Sequence, residues 1–350
     1  MGRLLAWELQ RRGHRVTLFD RDGADGGSAA AYTAAGMLAP FSELESAESP
    51  VYAMGRRSLQ LWPGIVAALG GDVDFHQRGS LIVAHGGDLP DLLRFRQQVH
   101  AKLAPGPELY RCLGAAELRA LEPELAENFS AADYLPEEAW LATDRVMAAL
   151  RRQLVAGGAG WHERAPVQAL AAGCIHSGGR RYDFDRVVDC RGLGARADVA
   201  GLRGVRGEVM LLRAPEVTIS HMVRLMHPRY RLYLVPREHS HYVIGATQIE
   251  SDDMGEITVR SALELLSAAY TLHSGFAEAR VLACRSNCRP ALPDNLPAIL
   301  LDDGVVRVNG LFRHGFLLAP VLVEQLLAHW RLDGAAEARF GELIQEVAVP

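Results

Sequence analysis

The stretch MGRLLAWELQRRGHRVTLFD, residues 1–20, decides the fold. Apolar side chains at Leu4, Leu5, Trp7 and Leu9 have the spacing of an amphipathic helix over residues 1–12. Gly13 and His14 stop it, and residues 15–20 form a short β-prone run that ends on an acid, Asp20. A helix, a glycine turn and a strand ending in an acid make up the second part of a nucleotide-binding βαβ unit. The first part of such a unit is a buried strand and a G-x-G-x-x-G loop, and the acid grips a ribose hydroxyl. Gly2 stands where the third glycine would be, and Asp20 follows it by 18 residues. One reading is that the strand and the first two glycines precede residue 1 and are missing from this chain. The other, open at this point, is a surface helix before an unrelated strand.

Working outward, residues 23–40 (GADGGSAAAYTAAGMLAP) are rich in small side chains that let backbone approach a ligand closely. Met37, Leu38, Ala39 and Pro40 are too apolar for a flexible linker. Residues 50–70 read as a helix interrupted near Trp62, Pro63 and Gly64. Residues 78–84 read as a strand, and 88–103, 114–120 and 145–156 as helices. Residues 161–170 and 184–189 read as strands, the second running into a turn at Gly192 and Gly194. Both glycines suit either an ordinary turn or a dinucleotide contact. Strands follow at 208–212 and 231–236, the latter pairing with 241–247 as a hairpin. A helix at 260–270, a strand at 305–310 and a Leu-rich helix at 317–330 complete the chain. Nucleotide-type elements thus come from the beginning, middle and end, with antiparallel segments between them. The pattern predicts an α+β chain in which a Rossmann-like α/β domain (1–75, 140–205 and 290–350) interleaves with a mainly antiparallel substrate domain (76–139 and 206–289).

Composition narrows the function classes. A net charge of -5 offers no electrostatic reason for a nucleic-acid or anionic-membrane partner. No apolar run is long enough for a membrane span. Five scattered Cys residues make no disulfide framework, and Cys284 and Cys288 have no zinc-ligand spacing. Free thiols in a reducing cytoplasm are the expectation, with no metal site.

In order along the chain, Phe19-Asp20, Ala34 to Leu38, Pro166-Val167, Val188 to Ala195, Tyr233 to Arg237 with Gly245 to Thr247, Arg289-Pro290 and Gly310 to Pro320 resemble the D-amino-acid oxidase superfamily of FAD-dependent oxidoreductases, and within it the glycine oxidases of thiamin biosynthesis. The most specific piece is Gly310-Leu311-Phe312-Arg313-His314-Gly315 running into Phe316 and Leu317 at a helix start. The resemblance implies non-covalent FAD held by Met1, Gly2, Asp20, Arg21, Ala35, Gly36, Met37, Leu38, Val167, Gly192, Gly194, Phe312, Arg313, His314, Gly315, Phe316 and Leu317. It also implies a small amino acid as substrate, molecular oxygen as electron acceptor, and the homo-oligomeric state common among such enzymes.

The chemistry asks for these residue types. Amine oxidation moves a hydride from Cα to the flavin, so the substrate must be held at contact distance. Its handle is a carboxylate, which a guanidinium fork matches in a bidentate way. Arg289 and Arg313 are the candidate forks. Tyr233 could donate to the same carboxylate, although its alternation with Leu232 and Leu234 leaves open whether its face is site or core. Gln248 stands where the resembled glycine oxidases carry an apolar residue, and it is a candidate substrate contact. No acid or base is assigned, because solvent can take the ammonium proton. The rival readings are a D-amino-acid or N-methyl-amine dehydrogenase that uses a quinone or protein acceptor, and an inactive FAD-binding scaffold.

Overall fold

A computed structural model describes residues 1–45, 49–227, 232–332 and 340–347. Burial of Leu4, Leu5 and Trp7 makes Gly2–Arg11 a helix, which packs against the helix Thr143–Ala156. The chain turns at Gly13 and forms the strand Thr17–Phe19, which pairs in parallel with Gly160–His162. A second parallel pair joins Val187–Asp189 to Val305–Asn309, and Ala298–Asp302 and Ile344–Glu346 extend that sheet. No ladder joins the two sheets among the described residues, and both line one long cleft.

The other half is an eight-stranded sheet. Its order is Arg280–Ala291, Arg203–Arg213, His241–Gly245, Leu232–Arg237, Met222–Met226, Ser80–Ala84, Ala131–Leu135, Arg111–Gly114. Every pairing is antiparallel except that of Met222–Met226 with Ser80–Ala84. Two large apolar cores serve the two halves. One gathers Trp7, Met54, Trp62, Leu150 and Leu322; the other gathers Leu81, Met210, Leu234, Leu265 and Phe276 beneath the large sheet.

Three readings need correction. The helix Ser49–Leu69 runs through Pro63 without interruption. An interior proline costs about 3 kcal/mol. Leu59, Trp62 and Ile65 are buried around it, and each such side chain contributes about 1.5–3 kcal/mol, so burial outweighs the break. The single strand read at 161–170 is two strands, Gly160–His162 and Val167–Ala171. The second belongs to a separate antiparallel ribbon with Cys174–Ser177 and Arg180–Asp183. The strand read at 208–212 extends over Arg203–Arg213, paired along its length with Arg280–Ala291, a strand that local pattern had not revealed. Arg231, placed in the hairpin by sequence, lies outside the described residues, as do 333–339 and 348–350 of the expected C-terminal segment.

Candidate functional site

The cleft has a volume of about 2270 Å³ and runs from the acid after the first strand to the face of the large sheet. At its outer end are Asp20, Arg21 and Val167. The Asp20 amide donates to the His162 carbonyl at 3.0 Å, which sets the end of the strand. Its carboxylate accepts the Asp22 amide at 3.0 Å. Met1, Gly2, Gly192 and Gly194 line the middle. Gly192 has φ +57°, so it is a turn glycine that also faces the cleft; its carbonyl accepts Asn309 Nδ2 at 3.0 Å.

Ala35, Gly36 and Met37 form the next stretch of wall. Gly36 is required there: φ is +73°, and a Cβ would lie 2.0 Å from the Leu141 carbonyl oxygen. Arg237, which sequence reasoning did not single out, donates to the carbonyls of Ala35 (2.5 Å) and Leu141 (3.0 Å) and fixes this segment. Leu38 corrects an expectation. Its side chain is buried in the apolar core and does not line the cleft, because successive residues of the strand Met37–Leu38 face opposite ways.

The inner end brings together what the sequence separates. The Phe312 amide donates to the Pro290 carbonyl at 2.9 Å, joining the two arginine motifs. Phe312, Arg313, His314, Gly315, Phe316 and Leu317 then lead into the helix Gly315–His329 along the cleft wall. Tyr233 lines the cleft and packs against the small apolar cluster of Ala35, Ala39 and Trp140, while Leu232 and Leu234 belong to the core beneath the sheet, Leu232 also reaching the cleft wall. Burial holds the Tyr233 phenol above its ordinary pKa, against the pull of Arg289 and Arg313. It is therefore a hydroxyl donor at neutral pH.

The two arginines differ in a way that sequence could not reveal. Arg289 Nη1 donates to the carbonyls of Arg206 and Thr247, and Nη2 to that of Thr247, each at 3.2 Å. Among the described residues it has no carboxylate partner. Burial lowers its pKa, but a guanidinium remains a cation. Arg313 donates to Gln248 Oε1 at 3.2 Å and is ion-paired with Glu43. Burial pushes the Glu43 carboxyl up, but Arg313, helped by His314 and Arg224, holds it down at about 2. Burial lowers His314 to about 4, so it is neutral at pH 7.

Glu43, Gly207 and Arg224 were not legible beforehand. Glu43 sits in an unpatterned loop, with no motif to mark it. Gly207 interrupts a strand, a usable hint of close approach. The reason is direct: a Cβ there would fall 2.1 Å from Arg289 Nη2. Arg224 donates to the Ser42 carbonyl at 2.6 Å and pairs with Glu45, pinning the loop that carries Glu43.

These features suit an elongated dinucleotide. Two helices, Gly2–Arg11 and Gly315–His329, begin on the cleft with no side-chain cap and no acid in the first turn. Their unmet N–H groups suit anionic or carbonyl oxygens. The Asp20 carboxylate suits a ribose diol, and the small side chains at 35 and 36 leave room for a flat ring. Further along the cleft, Arg289 has no carboxylate partner among the described residues. Fold and cleft together define a dinucleotide-binding oxidoreductase with a cationic chamber at one end.

Comparison with known proteins identifies the group. The family described as FAD dependent oxidoreductase, DAO, matches residues 1–330, and the chain belongs to it. It is 43% identical over 325 residues to a Rhizobium etli protein assigned by name to thiamine biosynthesis, the oxidoreductase ThiO, covering 93% of this chain and 92% of that one. It is 27% identical over 339 residues to the glycine oxidase of Geobacillus kaustophilus, covering 92% and 88% of the two chains. The crystal structure of that glycine oxidase superposes with a TM-score of 0.82 over 99% of this chain and 96% of that one. The iminodiacetate oxidase of Chelativorans sp. BNC1 shares the fold, with a TM-score of 0.83 at 22% identity over 99% and 96% of the chains.

Proposed function

We propose that this protein oxidises the amine carbon of glycine or another small amino acid. The products are an imine that water converts to an oxo acid and ammonia, and hydrogen peroxide from molecular oxygen. The reading places the enzyme in thiamin thiazole synthesis, where the imine itself is the useful product. FAD supplies, when bound, the two-electron acceptor for the hydride and the route of the electrons to oxygen. Asp20 would hold the ribose, the two helix starts and Gly192 would receive the diphosphate, and Ala35 to Met37 with Phe312 to Leu317 would flank the ring.

The carrying observation is Arg289, a guanidinium with no carboxylate partner among the described residues, held beside Tyr233 over the cleft. Its fork binds the substrate carboxylate and Tyr233 donates a hydrogen bond to it, which orients the Cα–H bond towards the ring space. No residue is needed as a base. Glu43 is too weak a base near 2 and is already paired, so water takes the ammonium proton. The two large apolar cores favour a division into an FAD-binding domain and a substrate domain. The free cysteines fit a reducing cytoplasm. No helix among the described residues is long and apolar enough to cross a membrane.

The test is visible absorbance of the FAD-loaded protein during anaerobic addition of glycine. Bleaching, followed by recovery in air with release of peroxide, is the expected result. A yellow protein that none of glycine, sarcosine and small D-amino acids can bleach would refute the reading.

A further inference from the structure

The inner chamber carries more charge than one carboxylate handle requires. Arg289 and Arg313 both act on the Tyr233 phenol, so both guanidinium groups bear on the same space. Arg224 also reaches the chamber but is matched by Glu45. His314 adds no charge at neutral pH. Arg313 is matched by Glu43, whose side chain is 19% exposed and faces the cleft. Arg289 alone has only backbone carbonyls as partners among the described residues. The chamber therefore presents one uncompensated positive charge and has room for one carboxylate counterion.

We infer that Glu43 is a specificity-determining residue which, by neutralising Arg313, restricts the site to substrates with a single carboxylate. It acts through Arg313 and is a positioning residue, not a catalytic one. The loop that presents it is held from several sides. The Ser42 amide and hydroxyl donate to Glu138 at 2.7 and 2.8 Å. The Ser42 carbonyl accepts Arg224 at 2.6 Å, and the Leu44 carbonyl accepts Lys102 Nζ at 2.5 Å. Pinned on both sides of position 43, the carboxylate cannot easily leave Arg313 to make way for a second anion. A dicarboxylate would bring one charge to Arg289 and leave the other against Glu43, where like-charge juxtaposition is costly. Removing the Glu43 charge takes away the carboxylate that neutralises Arg313 and opens the chamber to a second carboxylate.

The inference rests on the proposed carboxylate role of Arg289, and binding of inert ligands separates the two claims. Methoxyacetate and oxydiacetate carry one and two carboxylates on the same ether skeleton and have no amine to oxidise. Their dissociation constants are measured by calorimetry on the FAD-loaded protein. The native protein is expected to bind methoxyacetate at least as tightly as oxydiacetate. Glu43→Gln should shift the preference towards oxydiacetate by about tenfold or more, and Glu43→Asp, which keeps the charge, should restore the native preference. Arg313→Gln is the reciprocal variant: with Glu43 left unmatched, it should shift the preference further towards methoxyacetate, and it keeps the inference testable if Glu43→Gln does not fold. An unchanged ratio in Glu43→Gln, or in Arg313→Gln, overturns the role of Glu43 while leaving Arg289 intact. Failure of the native protein to bind either ligand overturns both.

Discussion

Arg289 reaches the inner end of the cleft only because position 207 has no side chain. The guanidinium lies across the strand Arg203–Arg213, and any Cβ at 207 would occupy its place. Gly207→Ala should therefore displace the fork while leaving the sheet paired. Misplacing a binding group by about 1 Å can cost up to roughly 100-fold, so a loss of about 10- to 100-fold in kcat/KM with little change in Tm is expected. Steady-state kinetics and a melting curve check this. Arg289→Met removes the charge outright. Truncating a bidentate charged pair costs about 2–4 kcal/mol, roughly 30- to 1000-fold in kcat/KM. A change below about threefold would reject the carboxylate role.

At the scale of elements, the loop that carries Ser42 to Glu45 depends on one buried carboxyl. Glu138 accepts the Ser42 amide, the Ser42 hydroxyl and the Ser80 hydroxyl, and is fully buried. Burial pushes its pKa up from 4.5 to about 7, against the lowering effect of those hydrogen bonds. A carboxyl whose folded pKa is raised binds its proton more tightly in the folded state. Its contribution is complete below about 4.5 and is lost as pH rises through about 7, where folding must bury a charge that the unfolded chain carries freely. The shift corresponds to at most about 3 kcal/mol. Glu138→Gln should remove this dependence. Across that window the stability of the native protein should fall relative to the variant, as followed by urea unfolding at each pH. Parallel curves would show that Glu138 titrates in the folded protein as it does in the unfolded one.

For the whole molecule, residues of both large cores line the cleft, so a ligand that fills it touches both. FAD binds the folded chain and not the unfolded one, and at 100 times its Kd it should add about 2.7 kcal/mol. A Tm that rises with FAD concentration is the expected readout; a flat Tm would mean that the cleft does not hold the dinucleotide. The attachment should be non-covalent. Cys190 lines the cleft, but burial pushes its thiol up to about 12, so the nucleophilic thiolate is scarce. Acid precipitation should leave the flavin in the supernatant, and yellow colour in the pellet would refute this.

Sequence by itself determined the parts of this protein that are written locally. The helix and acid-ended strand of residues 2–20 follow from spacing and from a glycine stop. Gly310 to Leu317, Gly36 and Gly192 could be read because turns and helix starts require particular residues over short stretches. Tertiary structure alone decided whatever depends on partners far along the chain. It carried Ser49–Leu69 through Pro63, because the burial that outweighs the proline comes from distant elements. It turned Leu38 into the core while Met37 faced the cleft. It made the two arginines unequal, since Glu43 lies 270 residues from Arg313 and only folding brings them together. A local pattern reports which side chains share a face of one element; which charge meets which is settled by how the elements pack.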